Sequence, residues 1–140
     1  MSRNSNQIYL NNLFANAGPG TEQLYWECAN HALAPESSGG NPWGAATCRN
    51  KFTDYATPLE SRFYHEVSEA SFTMRLTRAK ADELCQKIME KYESLIPVDN
   101  YGHKIQEVYD MDRIAPRAEY LDQYKRMKDE LSAMGLEFPY

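Results

Sequence analysis

Apolar residues recur every three or four positions in three stretches of the chain, which is the spacing of one face of an α-helix. This periodicity predicts helices over residues 21–33 and 75–95, and a third from Pro116 to the cap residue Gly135. The apolar positions are Leu24, Cys28 and Ala32, then Ala81, Leu84, Ile88, Tyr92 and Leu95, then Tyr120, Tyr124, Met127, Leu131 and Met134. Each stripe gives its helix one face to bury.

A fourth helix is predicted by its start signal. Thr57 can accept hydrogen bonds from the first turn, and Pro58 stands where no amide hydrogen is needed. Glu60 can complete a capping box with Thr57. Further along the same helix, Arg62 and Glu66 are four residues apart and can form an ion pair.

Two short apolar segments, residues 7–14 and 43–48, are typical of strands. Residues 35–42 are rich in Gly, Ser and Pro and predict a flexible connector, and residues 98–115 are irregular. Two strands that are each followed by a helix indicate a parallel α/β architecture. Since a closed (β/α)8 barrel takes about 250 residues and open sheets also have more strands, we expect this chain to be one part of a larger sheet.

Composition narrows the classes of protein. The chain has 140 residues, enough for one domain, and 20 acidic against 15 basic residues give a net charge of −5. That balance lacks the basic face of a nucleic-acid-binding protein. No apolar run approaches the roughly 20 residues of a membrane span, and the start has no signal-peptide pattern. Three cysteines without a CxxC pair predict reduced, mostly buried thiols. We therefore expect a cytoplasmic protein that binds neither nucleic acid nor membrane.

Motifs for catalysis and metal binding are sparse. Cys28 and His31 are three apart on one predicted helix, but no second ligand pair accompanies them, so no metal site is predicted. A cysteine acting with a distant histidine stays open, although no nucleophile elbow surrounds any cysteine. The glycines of residues 18–20 and 39–40 fit neither a P-loop nor a dinucleotide-binding motif. The residues by themselves indicate an α/β fragment without an assigned activity.

Four blocks of the chain carry a family resemblance. They are residues 17–22 (AGPGTE), 59–67 (LESRFYHEV), 102–120 (GHKIQEVYDMDRIAPRAEY) and 130–138 (ELSAMGLEF). In this order and approximate spacing they resemble the C-terminal portion of the monomethylamine methyltransferases. These are corrinoid-dependent enzymes of methanogenesis whose catalytic residue is pyrrolysine.

The resemblance implies a fold and partners. The fold would be a (β/α)8 barrel, with residues 1–97 supplying its last two strand–helix units and residues 98–140 a C-terminal helical extension. A larger partner chain would complete the barrel. The function implied is that of a small subunit or fragment of a methylamine:corrinoid-protein methyltransferase. A small methylated amine would be the substrate, and a separate corrinoid protein would accept the methyl group. The chain itself would bind no cofactor, and the assembly would be an oligomer.

The resemblance also implies site residues. Residues 6–9 (NQIY) are similar to a family stretch at a strand end that lines the pyrrolysine site, so Gln7 and Tyr9 are the expected catalytic residues. A neutral amide such as Gln7 can hydrogen-bond the amine without adding charge. Two departures are visible: several extra residues separate Gln7 from the turn at residues 17–20, and Gly20 stands where the family has a cysteine. The pyrrolysine position has no counterpart in this chain.

Two other functions stay open. The chain can be a non-catalytic structural or interaction subunit that retains the helix packing of the family. It can also belong to an enzyme that acts on another small methylated substrate, since a fold does not determine its chemistry.

Overall fold

Two parallel strands, each followed by a long helix, form the first half of the chain. In the computed structural model, which describes residues 8–139, β1 spans Leu10–Phe14 and leads into α1, Glu22–Ser37. The second strand, β2, spans Asn41–Ala46, pairs with β1 in parallel, and is followed by α2, Pro58–Thr73. The predicted strand–helix–strand–helix order and the parallel pairing are both confirmed.

The second half is mostly helical. Helix α3 spans Arg78–Tyr92, α4 is a single turn over Ile105–Val108, and α5 spans Ala118–Ala133. Between α4 and α5, β3 (Tyr109–Asp110) and β4 (Ala115–Pro116) pair as a short antiparallel hairpin. Two 3-10 turns, Thr47–Asn50 and Glu93–Leu95, follow β2 and α3. None of the helices within residues 8–139 is long and apolar enough to cross a membrane.

Several predicted boundaries were wrong. Helix α3 begins at Arg78 rather than near residue 75, and β2 spans Asn41–Ala46 rather than 43–48. The region 98–115, expected to be irregular, contains α4, β3 and β4. Helix α1 continues to Ser37 because Pro35 lies in its last turn, where the Pro35 carbonyl accepts hydrogen bonds from the N–H groups of Ser38 and Gly40. The tail helix begins at Ala118 rather than Pro116, because Ala115 and Pro116 pair with the strand before them. The long middle helix ends at Tyr92, so Leu95 lies outside the buried stripe and is 41% exposed.

Helix α1 lies at the centre of the core. It is buried nearly all round, as expected of a helix enclosed by neighbours, and it packs against both α2 and α3. The Tyr25 ring contacts Phe63 of α2 edge-on at 4.8 Å between centroids and Tyr124 of α5 at 6.3 Å. Of the three free cysteines, Cys28 and Cys48 are buried, which confirms the expectation of mostly buried thiols.

The predicted start of α2 is confirmed in detail. Thr57 caps the helix, Pro58 occupies its first position, and the Glu60 carboxylate accepts hydrogen bonds from the backbone N–H and the hydroxyl of Thr57. Glu60 is also 2% exposed, and its burial raises the pKa of the carboxyl to about 7. The sequence predicted the cap but gave no sign that its carboxylate lies in the core.

Glu60→Gln is expected to change how stability depends on pH. Because the folded-state pKa is raised, the unfolded chain releases this proton first, so the free energy of unfolding falls as pH rises from about 4.5 to about 7. The loss amounts to at most about 3 kcal/mol. Because glutamine can also complete a capping box, the free energy of unfolding of the variant is expected to equal that of the parent near pH 4.5 and to be higher than that of the parent above pH 7. Urea unfolding at several pH values measures both.

The control for this prediction is Glu90→Gln, which changes an exposed carboxylate on α3. It is expected to leave the pH profile of the parent unchanged. Parallel profiles for Glu60→Gln and the parent would show that folding leaves the pKa of Glu60 unshifted, which would contradict the effect of burial.

Candidate functional site

The carboxyl ends of β1 and β2 lie side by side. The Ala15 N–H donates to the Ala46 carbonyl at 2.9 Å, and the Arg49 N–H donates back to the Ala15 carbonyl at 2.7 Å. The Cys48 N–H donates to the Ala17 carbonyl at 2.9 Å. In α/β barrels the catalytic groups lie at this end of the strands. Residues 15–21 and 47–57, which leave the two strands here, therefore form the candidate catalytic face.

Residues 96–105, which we call the strap, cross over the loop that leaves β1. The Gly18 N–H donates to the Asn100 carbonyl and the His103 N–H donates to the Pro19 carbonyl, each at 2.9 Å. The Cys48 thiol contacts the Tyr101 carbonyl, with 3.1 Å between sulfur and oxygen. The two backbones touch, since a Cβ atom on Gly18 would lie 1.6 Å from the Tyr101 oxygen. The strap thus holds both strand-end loops in place.

Gly20 marks the departure from the family pattern noted in the sequence. Its φ of +76° is in the left-handed region, and a Cβ atom there would lie 2.5 Å from Cε1 of Tyr120 and 2.9 Å from Cδ2 of His103. Those two rings contact each other edge-on, with centroids 5.7 Å apart. The glycine at this position therefore lets the strap and α5 pack against the loop.

A buried carboxylate fixes the backbone where β1 ends. Glu27 of α1 is 6% exposed and accepts hydrogen bonds from the N–H groups of Asn16 (2.6 Å) and Ala17 (3.4 Å) and from the amide of Gln23 (2.8 Å). Burial raises the pKa of Glu27, against the effect of these hydrogen bonds. The Asn16 amide donates to the carbonyls of Ile96 and Val98, both at 3.1 Å. Sequence reasoning missed Glu27, whose only signal was a polar pair four residues apart on a helix.

The strands present an apolar face on the side opposite the helices. Successive side chains of a strand point to opposite faces, and Leu13 is buried against the helices. Leu10 and Phe14 therefore point to the other face, where they are 53% and 59% exposed. Trp43 of β2 is 69% exposed. In a closed barrel this face would line the interior.

A cleft of about 620 Å³ runs between β1 and α1. Within the described part of the chain β1 pairs only with β2, so this cleft follows the other edge of β1. Asn11 and His31 face each other in its wall, with 3.0 Å between Nδ2 and Nδ1, and burial lowers the pKa of His31. The Asn30 amide donates to the Tyr92 hydroxyl at 2.9 Å. Glu27 also lines the cleft, so its wall combines polar side chains with a buried acid.

The two expected catalytic residues are placed differently. Gln7 lies outside the described residues. Tyr9 precedes β1, so it lies at the amino end of the strand, and the strand-end argument was wrong for it. The Tyr9 carbonyl accepts hydrogen bonds from the backbone N–H of Asn41 at 3.0 Å and from its side-chain amide at 3.2 Å. The ring packs against Gly40 and lines the cleft. The catalytic roles of Gln7 and Tyr9 stay predictions.

The other candidates for chemistry do not converge. Across residues 8–139, no group of three His, Cys, Asp or Glu residues is placed to hold a metal ion. Cys28 is fully buried, and burial raises the pKa of its thiol well above the ordinary value. A thiol in this environment forms little of the thiolate that acts as a nucleophile.

Comparison with known proteins gives one consistent answer. A family model described as monomethylamine methyltransferase MtmB matches residues 1–136. The monomethylamine methyltransferase MtmB2 of Methanosarcina acetivorans is 29% identical over 129 residues, which cover 91% of this chain and 28% of the relative. MtmB of Methanosarcina mazei is 28% identical over the same length and coverage.

A solved structure extends the match to the fold. The crystal structure of the Methanosarcina barkeri monomethylamine methyltransferase superposes with a TM-score of 0.89 and 26% identity, covering 98% of this chain and 30% of that one. The structure of a hydroxylamine complex of MtmB matches equally well. The predicted fold class, part of a (β/α)8 barrel with a C-terminal helical extension, is confirmed. The chain spans less than a third of the length of these relatives.

Proposed function

Because the chain belongs to the monomethylamine methyltransferase MtmB family, we propose that it forms the C-terminal part of a methylamine:corrinoid-protein methyltransferase. Residues 1–97 supply the last two strand–helix units and residues 98–140 the extension. The observation that carries the proposal is the superposition of 98% of this chain on 30% of a solved methyltransferase with a TM-score of 0.89. The remaining strands of the barrel come from a larger polypeptide.

The exposed apolar face of the strands supports a barrel that is completed elsewhere. Leu10, Phe14 and Trp43 are each more than half exposed. Fully burying one such side chain stabilises a protein by about 1.5–3 kcal/mol, so a surface of this kind favours an occupant. Strands that close the barrel would cover all three. The chain is therefore proposed to act either as a small subunit beside a larger partner chain or as a fragment of one longer polypeptide.

Within that barrel the chain contributes one wall of the site. The loops over residues 15–21 and 47–57 leave the carboxyl ends of the strands, and the strap and Glu27 hold their backbones in place. Gln7 is proposed to hydrogen-bond the amine, and Tyr9 to line the same stretch. Pyrrolysine, which the larger polypeptide would carry, supplies the group that binds the amine. A separate corrinoid protein would accept the methyl group from the amine nitrogen, and the demethylated amine would be released.

The C-terminal extension is proposed to dock the corrinoid protein. The tip of the β3–β4 hairpin exposes Met111 by 51% and Ile114 by 81%, and Ile114 has a φ of +52°, which is strained for a β-branched residue. The Asp110 carboxylate supports this turn by accepting hydrogen bonds from the N–H groups of Asp112 and Arg113. Exposed apolar side chains on a braced turn suit a contact with another protein. A cytoplasmic location, where the three free cysteines stay reduced, belongs to the same proposal.

The test is reconstitution with the complementary part of the Methanosarcina barkeri enzyme. Mixed with that part, the chain is expected to restore methylation of the corrinoid protein that depends on methylamine. Gln7→Ala is expected to lower the rate by about a hundredfold, as the loss of one positioned hydrogen bond does in other enzymes. Gln86→Ala, on the exposed side of α3, is the matched control and is expected to keep the full rate.

One observation favours a non-catalytic role as the second candidate. Tyr9 lies at the amino end of β1, away from the loops at residues 15–21. An assembled complex with a full rate in Gln7→Ala would exclude a catalytic role for Gln7. A complex that assembles but methylates no corrinoid protein with any of several methylated amines would identify a structural subunit.

A further inference from the structure

The charge of Glu27 is unbalanced at the cleft between β1 and α1. Its three hydrogen-bond donors, two backbone N–H groups and the Gln23 amide, are neutral. None of the ion pairs formed among residues 8–139 includes Glu27. Arg49 lines the same cleft but is exposed, and it only partly offsets the effect of burial on the carboxyl. Glu27 therefore depends on the open cleft for contact with water.

Closing the cleft would remove that water. In the solved relative, which matches 98% of this chain but extends well beyond it, further chain is available to occupy the cleft and to pair with the other edge of β1. Two other polar pairs in the cleft, Asn11 with His31 and Asn30 with Tyr92, already hydrogen-bond each other. A buried carboxylate without an opposite charge is strongly unfavourable. Glu27 is thus the group in the cleft that most requires a new partner.

We propose that the part of the barrel that packs along β1 places a lysine or arginine side chain in this cleft against Glu27. This inference rests on the proposed function. The apolar walls formed by Leu13, Phe14 and Ile96 suit the aliphatic stem of such a side chain, whose charged end then reaches the carboxylate. The pair would select the correct occupant and fix its register, because a neutral or acidic side chain at that position would leave the buried charge unmatched.

The experiment measures binding of the 140-residue chain to the complementary part of the Methanosarcina barkeri enzyme. Glu27→Gln keeps a carbonyl oxygen for the N–H of Asn16 but removes the charge, and it is expected to raise Kd about tenfold or more. The matched control is Glu22→Gln on the same helix, where the carboxylate is 54% exposed and pairs with Arg126. It is expected to leave Kd within about twofold. Circular dichroism gives the folded fraction, and Kd refers to that fraction.

The outcomes separate the two proposals. Weaker binding by Glu27→Gln, with Glu22→Gln unchanged, supports a cationic side chain in the cleft. Equal or tighter binding by Glu27→Gln overturns this inference and leaves the proposed function standing. No binding by the parent chain contradicts the proposed function itself, and the inference falls with it.

Discussion

A Glu66→Ala variant is expected to lower the free energy of unfolding by roughly 3–5 kcal/mol, because it removes a buried carboxylate that accepts three hydrogen bonds, two of them from charged side chains. Glu66 of α2 is 3% exposed. Its carboxylate accepts hydrogen bonds from Arg62 (2.7 Å), from the Tyr124 hydroxyl (2.5 Å) and from Lys128 (2.7 Å). Tyr124 and Lys128 both lie on α5, so this single side chain joins the tail helix to α2.

The matched control is Glu83→Ala on α3. Glu83 also binds two lysines, Lys80 at 3.1 Å and Lys87 at 2.8 Å, but it is about half exposed. Removing it is expected to cost much less stability, because water screens an ion pair at the surface. Urea unfolding compares the two variants, and hydrogen exchange in α5 reports whether the tail helix separates first. Equal losses in the two variants would show that burial does not strengthen the Glu66 cluster.

The contributions of Glu66 and Glu60 to the free energy of unfolding are expected to change in opposite directions as pH rises. Burial raises the pKa of Glu66, but the hydrogen bonds from Lys128, Tyr124 and Arg62 outweigh it and hold the pKa below its ordinary value. The stabilisation by Glu66 is therefore fully present above about pH 4.5 and is lost as pH falls through the lower, folded-state pKa. Glu60 lacks a cationic partner in its hydrogen bonds, so burial prevails there.

Gly18→Ala is expected to destabilise the protein by about 3 kcal/mol, because the new methyl group meets backbone rather than a movable side chain. The Cβ atom would lie 1.6 Å from the Tyr101 oxygen, so the strap has to lift from the loop. Gly102→Ala is expected to disrupt the same contact from the side of the strap. A Cβ atom on Gly102 would lie 2.2 Å from the Pro19 oxygen, and the φ of this residue is +66°. Urea unfolding and exchange of the Gly18 and His103 amide hydrogens measure both effects.

Gly135→Ala separates backbone strain from steric contact. Gly135 has a φ of +103°, but a Cβ atom there would meet nothing within 4 Å. We expect its loss to be about 1 kcal/mol and the protection of the strap amides to stay unchanged. If Gly18→Ala leaves stability and amide protection at the parent values, the strap does not hold the loop.

Local signals in the sequence predicted the elements whose causes are local. The cap of α2 depends on Thr57, Pro58 and Glu60, which are adjacent in the chain, and it was confirmed. The ion pair between Arg62 and Glu66 was also confirmed, since four residues bring two side chains together on any helix. The predicted start of α5 at Pro116 was wrong because Pro116 pairs with Tyr109, seven residues away, and so belongs to a strand.

The site depended on contacts that no local pattern records. Glu27 and Glu66 are ordinary helix residues in the sequence, and each becomes a buried carboxylate only because distant segments enclose it. Tyr9 was expected at the carboxyl end of a strand, where barrel enzymes place their catalytic groups. In the structure β1 begins after Tyr9, so this residue lies at the amino end of the strand. The segment alone did not show at which residue the strand begins.

The sequence by itself determined the order of the first two strands and of the four long helices, the parallel architecture and the family. These follow from spacing, capping residues and short motifs, whose energies arise between near neighbours in the chain. The tertiary structure decided the contact of the strap with the strand-end loops, the opposite titration of Glu60 and Glu66, and the unmatched charge of Glu27. Each of these depends on desolvation and on backbone approach between segments that are far apart in the chain, and folding alone brings them together.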